Sequence, residues 1–373
     1  MKKIYTAESV TSGHPDKFCD LVSDMVLDAC LEKDPNSRVA CETFATKGLI
    51  VIGGEITTTA KPDYTEIIQA AATKMRYDLS GAELIVSVSG QSPDIAQAVE
   101  NPHFQGAGDQ GIMVGYACDE TLDFMPLEYA YARRLTNKLE QAFSSGEIKG
   151  IGSDGKSQVS AEFDGEKFIR FTKIVVSIQH DADKDIDVLR SEITEKIIEN
   201  VFSEFDLEDT EVLINPSGRF VIGGIDADTG LTGRKIVADA YGPRVPVGGG
   251  AFSGKDPSKV DRSGAYFARY IARNIVEGGL AEKCQISIAY AIGKAEPMSV
   301  NIDTFGTGKA DDKVIENAVL DVFDFRPAEI IKVLDLKKPI YTITATGGHF
   351  GIDKFSWERA DRVKELRDAV FTR

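Results

Sequence analysis

Residues 248–262 gather glycines, lysines and aspartates ahead of a predicted helix. Glycine has no Cβ atom, so three consecutive glycines let the backbone come close to a ligand. A helix start offers free N–H groups to an anion, and the lysines of the segment add positive charge. The aspartates can hold a divalent cation. These residue types predict a polyphosphate site with a metal ion.

The apolar positions that follow recur at helical spacing and predict a helix over residues 258–277. Asp256 is expected to be its N-cap, Pro257 its first residue and Gly278 its C-terminal stop. Lys259 would then lie in the first turn, where a cation opposes the helix dipole at a cost of roughly 0.3–1 kcal/mol. That cost favours a ligand-binding role for Lys259 over the alternative, a solvated loop lysine.

Two glycine motifs in the chain resemble nucleotide-binding loops but fail on context. Gly249 to Lys255 fits the start of a P-loop, yet Asp256 stands where a Ser or Thr should bind Mg²⁺. Residues 106–111 fit the dinucleotide fingerprint, but residues 112–116 look like a strand, whereas the fingerprint opens a helix. We therefore reject both interpretations.

The composition of the 373-residue chain is that of a globular protein of two or three domains, with 42% hydrophobic and 27% charged residues. The net charge of −16 argues against a general nucleic-acid binder or an anionic-membrane binder. Five cysteines without C-x-x-C spacing favour neither disulfides nor zinc. With no signal peptide or apolar span recognised, we expect a cytoplasmic protein and no membrane partner.

Weak internal repeats indicate the architecture. Residues 48–56 and 218–226 share an Ile-Gly-Gly strand pattern, with residues 285–293 as a degenerate third copy. Helices are predicted after Pro15 and at residues 189–201 and 314–322, and strands at residues 39–44, 84–88, 174–178 and 340–344. The simplest fold is α+β, in three units that each have a sheet covered by helices on one face. Residues 101–111 are a candidate mobile loop.

Other polar residues lie where they could carry chemistry. His14 precedes a helix start, and an imidazole and helix N–H groups can share an oxyanion. Asp16 in the first turn also suits the helix on its own. Glu42 and Glu55 fall in predicted strands, where an exposed sheet face is the ordinary explanation. The paired glycines before Glu55 indicate a close approach by a ligand or a second backbone.

Three further segments combine turns with functional side chains. Asp154 begins a turn or strand that contains Lys156. Phe220 follows a turn and could stack on a base. Arg234 and Lys235 follow glycines, and such a pair suits phosphate.

These segments, in this order, resemble the bacterial type of the S-adenosylmethionine synthetase (methionine adenosyltransferase) family. The matching pieces cover nearly the whole chain, and the two longest are INPSGRFVIGG (214–224) and GGGAFSGKDPSKVDRS (248–263). Shorter ones include GHPDK (13–17), GQSPDI (90–95), GAGDQG (106–111), DGKSQV (154–159) and GHFG (348–351). The resemblance implies three β-α-β-β-α-β-type units related by a pseudo-threefold axis, with mixed sheets. We expect the units at residues 1–100, 101–224 and 225–373, with the active-site loop at residues 98–111.

The family joins ATP and L-methionine. The methionine sulfur attacks C5′ of the ribose and expels the triphosphate, which is then hydrolysed to pyrophosphate and phosphate. A thioether is already a nucleophile, so the main task is to stabilise a leaving group with about four negative charges. The second task is to hold the sulfur in line with C5′. The resemblance also implies a homodimer with active sites at the subunit interface, often paired into a tetramer.

The resemblance assigns a role to each matching residue. The expected catalytic residues, which bind the triphosphate, are His14, Lys156, Arg234, Lys235 and Lys255. The rest of ATP is expected to contact Asp154, Arg219, Phe220, Asp228 and Ala251, with Ile292 packing nearby. The residues expected around methionine are Glu55, Gln91, Asp109, Asp228 and Lys259. Two Mg²⁺ ions per site are expected on Asp16 and Asp261, and one K⁺ per subunit on Glu42.

The chain departs from the family pattern in two places that look shortened, the connection 75–84 and the lid loop 100–105. A shorter lid puts lid kinetics and product release in doubt. Two alternatives stay open. Another Mg²⁺-dependent phosphotransferase or phosphohydrolase would need a base or nucleophile aimed at the γ-phosphate, and no such signature is visible. A regulatory nucleotide-binding protein without turnover is disfavoured by the set Asp16, Lys156, Lys235, Lys255 and Asp261.

Overall fold

The computed structural model describes residues 2–91, 100–101 and 104–372, with only the backbone described at 100–101 and 104–105. The strands are β1 Lys2–Val10, β2 Arg38–Thr46, β3 Leu49–Thr57, β4 Glu83–Ser89, β5 Glu100–Asn101, β6 Phe104–Gln105, β7 Gly111–Cys118, β8 Ile151–Asp164, β9 Lys167–His180, β10 Glu211–Ile214, β11 Gly230–Leu231, β12 Lys283–Tyr290 and β13 Ser299–Asp303.

The helices are α1 Pro15–Lys33, α2 Tyr64–Met75, α3 Leu127–Ser145, α4 Ile186–Ile193, α5 Glu199–Val201, α6 Ile236–Asp239, α7 Val260–Glu277, α8 Asp312–Val322, α9 Pro327–Val333, α10 Tyr341–Gly347 and α11 Val363–Phe371. A π-helical turn at Thr194–Ile198 joins α4 to α5. Of the described helices, none is both long and apolar enough to cross a bilayer.

The strands form three mixed or antiparallel sheets and a short hairpin. The sheet orders are β1-β8-β9-β10, β11-β2-β3-β4 and β13-β12-β7, and β5 pairs with β6. Each large sheet takes one strand from another third of the chain: β1 joins β8–β10, β11 joins β2–β4, and β7 joins β12 and β13. The exchange is cyclic, as a pseudo-threefold arrangement requires. The α+β class is therefore confirmed, while the unit boundaries stay a prediction.

Helices pack against each sheet: α3 against β8, α1 against β2, and α7 against β7. Alternate residues of β12 are buried, which is the pattern of a strand with one covered face. The predicted helices after Pro15, at 189–201 and at 314–322 are confirmed, the second with its π-helical turn. The predicted strands at 39–44, 84–88, 112–116 and 174–178 are also confirmed. The strand predicted at 285–293 is confirmed as far as Tyr290, where β12 ends, and its last three residues lie outside the strand.

Two predicted strands are wrong. Residues 340–344, rich in β-branched residues, begin the helix α10, because the Asp28 carboxylate accepts the N–H groups of Tyr341 and Thr342 at 2.9 and 2.7 Å. Residues 218–226 form no strand and end in a single 3₁₀ turn at Gly224–Asp226. Within the expected lid loop 100–105, Glu100–Asn101 and Phe104–Gln105 pair as the antiparallel strands β5 and β6.

Helix α7 runs through the centre of the larger core and carries arginines on its buried surface. Arg262 pairs with Asp24 at 2.7 Å, and Arg269 pairs with Glu358 at 2.8 Å, with all four side chains fully buried. Arg269 also donates to the carbonyl oxygen of Tyr116 at 2.7 Å. Buried charges of this kind are tolerated only when paired and hydrogen-bonded, so α7 is fixed by polar contacts as well as by apolar packing.

Replacing Arg269 with Met is expected to lower the free energy of unfolding by about 3–5 kcal/mol, because the substitution leaves Glu358 buried with fewer partners. Urea unfolding measures this loss. The control is Arg326→Met, whose pair with Asp324 is half exposed, and it should change stability by less than about 1 kcal/mol. Equal losses in the two variants would contradict the importance of the buried pair.

Candidate active site

His14 is the N-cap of α1, and the loop before it is held against β8. The backbone N–H of Thr11 donates to Gly155 at 3.0 Å, and its hydroxyl donates to the carbonyl oxygen of Ser153 at 2.6 Å. A Cβ atom on Gly13 would lie 2.4 Å from that same oxygen, so only glycine fits there. Because Val10 of β1 pairs with Lys156 of β8, this loop brings His14 beside Lys156.

Asp16, in the first turn of α1, gathers the cationic pair of residues 234 and 235. Its carboxylate lies 2.5 Å from the Lys235 ammonium and 3.4 Å from Arg234 Nε, and it accepts the Leu231 N–H at 3.0 Å. We refer to His14, Asp16, Lys156, Arg234 and Lys235 as the His14 cluster. The structure thus unites four of the five expected catalytic residues at one helix start.

The charges of the His14 cluster tune its titrating groups. Burial lowers the pKa of His14 from 6.5 to about 4, with help from Lys235 and Lys156, although Asp16 acts in the opposite direction. Burial alone would raise the pKa of Asp16, but the Lys235 ammonium and the Leu231 N–H outweigh it and hold that pKa below its ordinary value. The Asp16 N–H donates to His14 Nδ1 at 3.1 Å, so a neutral His14 carries its proton on Nε2.

The residues expected around adenosine border this cluster. Asp154 accepts the Gly224 N–H at 2.8 Å, and burial raises the pKa of its carboxyl to about 6. Phe220 is half-buried, and its N–H donates to His180 Nε2 at 3.0 Å. His180 was not singled out in the sequence, although it fixes the backbone of Phe220. Arg219 is exposed.

Asp228 is also exposed, and its carboxylate is near enough to His14 to oppose the lowering of the His14 pKa. It thus lies at the edge of the His14 cluster.

A second group, the Lys255 cluster, consists of Lys255, Asp256, Lys259 and Asp261. Lys255 lies 2.6 Å from the Asp261 carboxylate, and Lys259 pairs with Asp256. The predicted helix start is wrong: α7 begins at Val260, and Lys259, not Asp256, is its N-cap residue. The Asp256 carboxylate instead accepts the N–H groups of Val39, in β2, and Ser258 at 2.7 and 2.9 Å. The expected C-terminal stop at Gly278 is confirmed.

The Lys255 cluster is attached to β2. Gly254 has φ +79°, and a Cβ atom there would lie 1.9 Å from the carbonyl oxygen of Cys41. Ala40 forms a β-bridge with Lys255 and also pairs with Glu55 of β3. A Cβ atom on Gly54 would lie 1.9 Å from the Ala40 carbonyl oxygen, which confirms the predicted close approach of a second backbone before Glu55.

Glu42 and Glu55 are exposed on β2 and β3. The Gln91 N–H donates to Thr57 Oγ1 at 3.0 Å, just beyond Glu55 along the same sheet. These positions place three expected ligand-binding residues on the sheet that adjoins the Lys255 cluster.

Residues 106–111 run past the start of α7. A Cβ atom on Gly108 would lie 2.9 Å from the Ser258 carbonyl oxygen. Ala107 exchanges backbone hydrogen bonds with Gly293 and Lys294 at 2.9 and 2.8 Å. Exposed Asp109 and Ile292 therefore lie near the Lys255 cluster, and Ala251 lies against Gly233, at the His14 cluster. Of the expected active-site loop at residues 98–111, residues 98–99 and 102–103 are outside the described residues.

Four aspartates on α1 hold remote segments of the chain, and three of those segments belong to the two clusters. We call this set the α1 aspartate row, and its members are Asp16, Asp20, Asp24 and Asp28. Each accepts a backbone N–H from a remote segment; in order, the donors are Leu231, Gly233, Gly254 and Tyr341, at 3.0, 2.8, 2.8 and 2.9 Å. No role was predicted from the sequence for the last three of these aspartates. Their i, i+4 spacing within an otherwise apolar helix was a usable signal, because like charges at that spacing repel unless they are compensated.

Asp16 and Asp261 fit a metal ion whose other ligands would be phosphate oxygens and water. The described part of the chain contains no group of three or more acidic, histidine or cysteine side chains placed to hold a metal. Mg²⁺ commonly takes one or two carboxylates together with substrate phosphates and waters, so it needs no all-protein cage. Both carboxylates are hard oxygen donors, and they lie beside Lys235 and Lys255, which are expected to bind phosphate.

Three family models match consecutive parts of the chain. Those described as the N-terminal, central and C-terminal domains of S-adenosylmethionine synthetase match residues 2–100, 104–220 and 222–359. A Nocardioides protein named S-adenosylmethionine synthase is 48% identical to this chain over an alignment of 391 residues. The alignment covers 99% of each of the two chains. Proteins of the same name from Nocardia farcinica and Treponema denticola are 46% identical, cover 99% and 98% of this chain, and are themselves covered to 98%.

The His14 imidazole is expected to titrate near pH 4 in the folded protein, against an ordinary pKa of 6.5. The unfolded chain then takes up the proton first, so the stability that neutral His14 contributes is lost as the pH falls from about 6.5 to about 4. An NMR titration of the four histidines, with His14→Asn to assign the resonance, measures the midpoint. A midpoint close to 6.5 would contradict the buried, cation-flanked environment.

Proposed function

The chain belongs to the S-adenosylmethionine synthetase family, and we propose that it is a methionine adenosyltransferase. It forms S-adenosyl-L-methionine from ATP and L-methionine by attack of the methionine sulfur on C5′ of ATP. It then hydrolyses the tripolyphosphate to pyrophosphate and phosphate. The observation that carries the proposal is the His14 cluster, in which an imidazole, two lysines and an arginine meet at a helix start.

The His14 cluster answers the main demand of the reaction, which is the charge of the leaving triphosphate. Lys156, Arg234 and Lys235 supply fixed positive charge, and donors preorganised around a developing charge are most effective in a site that excludes water. Neutral His14 keeps Nε2–H as a donor, and we assign it to the oxygen that departs from C5′. Lys255 is assigned to the far end of the polyphosphate.

The remaining roles are proposed on the same residue-by-residue basis. Adenosine is assigned to Asp154, Arg219, Phe220 and Ala251, with Ile292 packing nearby. Methionine is assigned to Glu55, Gln91, Asp109, Asp228 and Lys259. Their positions support these assignments. The residues assigned to adenosine border the His14 cluster, except Ile292, which lies near the Lys255 cluster. The residues assigned to methionine lie on or beside the Lys255 cluster, except Asp228, which lies at the edge of the His14 cluster.

The family needs a divalent metal ion. We propose that Asp16 and Asp261 hold two Mg²⁺ ions per site and that Glu42 holds one K⁺ per subunit. When bound, Mg²⁺ adds positive charge beside the triphosphate. The chain's part is to present the Asp16 carboxylate at a fixed place, and the Leu231 N–H hydrogen bond serves that purpose.

We also propose a homodimer with active sites at the interface, assembling further into a dimer of dimers. Glu42, Glu55 and the apolar residue Ile85 are all exposed on one face of the β2–β4 sheet, which supports a partner on that face. A cytoplasmic location is supported by the five cysteines, which are all buried and unpaired.

The direct test incubates the protein with ATP, methionine, Mg²⁺ and K⁺ and detects the sulfonium product by mass. Methionine is omitted in the control. Release of ADP would instead indicate an ordinary phosphotransferase or phosphohydrolase, an alternative that the family relationships do not favour. ATP binding with no methionine-dependent phosphate release would indicate a regulatory nucleotide-binding protein.

Lys255→Met is expected to lower the turnover number by about 100-fold or more, because it removes a positive charge that would stabilise the negatively charged leaving group. The fold should persist, since the Lys255 side chain is only partly buried and the Asp261 carboxylate that it pairs with is not fully enclosed. Initial rates of sulfonium formation and circular dichroism measure the two outcomes. The matched control is Lys313→Met, which removes an exposed lysine that pairs with Glu316 in α8, and it should keep full activity. Near-normal turnover in Lys255→Met would refute the assignment.

A further inference from the structure

We propose that Lys17, Asp20 and Asp239 form a buried ionic bracket that fixes Arg234 and Lys235 for polyphosphate binding, with Asp20 as its central positioning residue. We call these three residues the Lys17 bracket. The identity of the ligand rests on the proposed function. Among the described residues, the bracket's side-chain hydrogen bonds and ion pairs reach none of the residues assigned to methionine or adenosine.

The bracket is a compact set of charges inside the protein. The Lys17 ammonium lies 2.7 Å from Asp239 Oδ1 and 3.1 Å from Asp20 Oδ2. All three side chains are almost completely enclosed. Burial raises the pKa of the Asp20 carboxyl, and Lys17 only partly offsets that effect. Enclosing charges in this way costs several kcal/mol per ion before the pairing is counted.

Both flanks of the cationic pair are tied to this bracket. Asp20 Oδ1 accepts the N–H of Gly233, the residue before Arg234, at 2.8 Å. Asp239 ends the short helix α6, which begins immediately after Lys235, and its N–H donates to the Lys235 carbonyl oxygen at 2.8 Å. Lys17 then joins the two carboxylates to each other. The backbone of residues 233–239 is thereby fixed to α1 at two points.

The Lys235 side chain is mostly enclosed, and its ammonium lies 2.5 Å from the Asp16 carboxylate. The Arg234 side chain has less support, since it is about half exposed and its Nε lies 3.4 Å from Asp16. Where packing does not fix a side chain, the backbone beneath it decides where its charge lies. A displacement of about 1 Å in such groups can cost a reaction 100-fold. The bracket therefore has a use in placing charge, beyond any contribution to stability.

The α1 aspartate row supplies a matched control. Asp28 lies two turns beyond Asp20 on the same helix face and likewise accepts backbone N–H groups, from Tyr341 and Thr342. That segment contains no residue assigned to the site. Asp20→Asn and Asp28→Asn each keep an acceptor oxygen for the backbone and remove one negative charge. The two variants differ in the segment that the aspartate holds. Asp20 holds the segment with Arg234 and Lys235, which are proposed to bind phosphate, whereas Asp28 holds Tyr341 and Thr342.

Two measurements test the bracket. The first is the dissociation constant of tripolyphosphate with Mg²⁺, by calorimetry on the full chain without methionine, using the imido analogue of tripolyphosphate because the proposed reaction hydrolyses tripolyphosphate itself. Asp20→Asn is expected to weaken it by about 10- to 100-fold, and Asp28→Asn by less than about 2-fold. The second is steady-state kinetics, where Asp20→Asn should raise KM for ATP by a similar factor and leave KM for methionine within about 2-fold.

A second pair of variants guards against a misfolded Asp20→Asn protein. Lys17→Arg keeps the positive charge of the bracket, so its tripolyphosphate affinity should stay within about 5-fold of the wild-type affinity. Lys17→Met removes that charge and should lose more affinity than this. If Asp20→Asn and Asp28→Asn lose thermal stability equally and bind tripolyphosphate as the wild type does, the proposal is overturned. If the wild type makes no sulfonium product, the proposed function fails, and the bracket is still judged by tripolyphosphate binding alone.

Discussion

Negative charge on one face of a buried helix is the constraint on which this fold depends. The α1 aspartate row places four carboxylates at i, i+4 spacing, where like charges repel. The helix tolerates them because each accepts an N–H group from a remote part of the chain: Leu231 is 215 residues from Asp16, and Gly254 is 230 residues from Asp24. The helix and these remote segments thus depend on each other, because the aspartates accept these hydrogen bonds only when the segments are in place.

The exchange of strands between sheets puts those segments at the helix. β1 ends at Val10, four residues before His14, and β11 ends at Leu231, three residues before Arg234. β7 begins at Gly111, two residues after Asp109. Every exchanged strand is therefore directly adjacent to a segment of the candidate site. Because a strand paired into a sheet has little freedom, the pseudo-threefold exchange fixes the site loops at their ends while leaving their side chains free to meet a ligand.

The sequence was sufficient for the α+β class, for most helices and strands, and for the motif residues, since apolar periodicity and glycine-rich turns are local signals. Its errors share one physical cause. The start of α7, the region 218–226 and the helix α10 were misread, and each adjoins a buried carboxylate bonded to remote backbone: Asp256 with Val39, Asp154 with Gly224, and Asp28 with Tyr341. A local pattern cannot show that an aspartate serves a donor more than 60 residues away, as all three do.

Three lysines of the two clusters lie against carboxylates in this structure: Lys235 with Asp16, Lys255 with Asp261, and Lys259 with Asp256. For the first two pairs, the proposed roles send the lysine to phosphate and the aspartate to a metal ion. Those two exchanges have to occur together, because an unpaired charge in a partly buried site costs far more than a paired one. With both ligands of those roles bound, each lysine would contact a phosphate oxygen, and the carboxylate beside it would be available to hold the cation. A site built this way keeps its charges compensated before and after substrate binds, which explains why an acidic protein concentrates lysines beside aspartates at the place where a polyanion must leave.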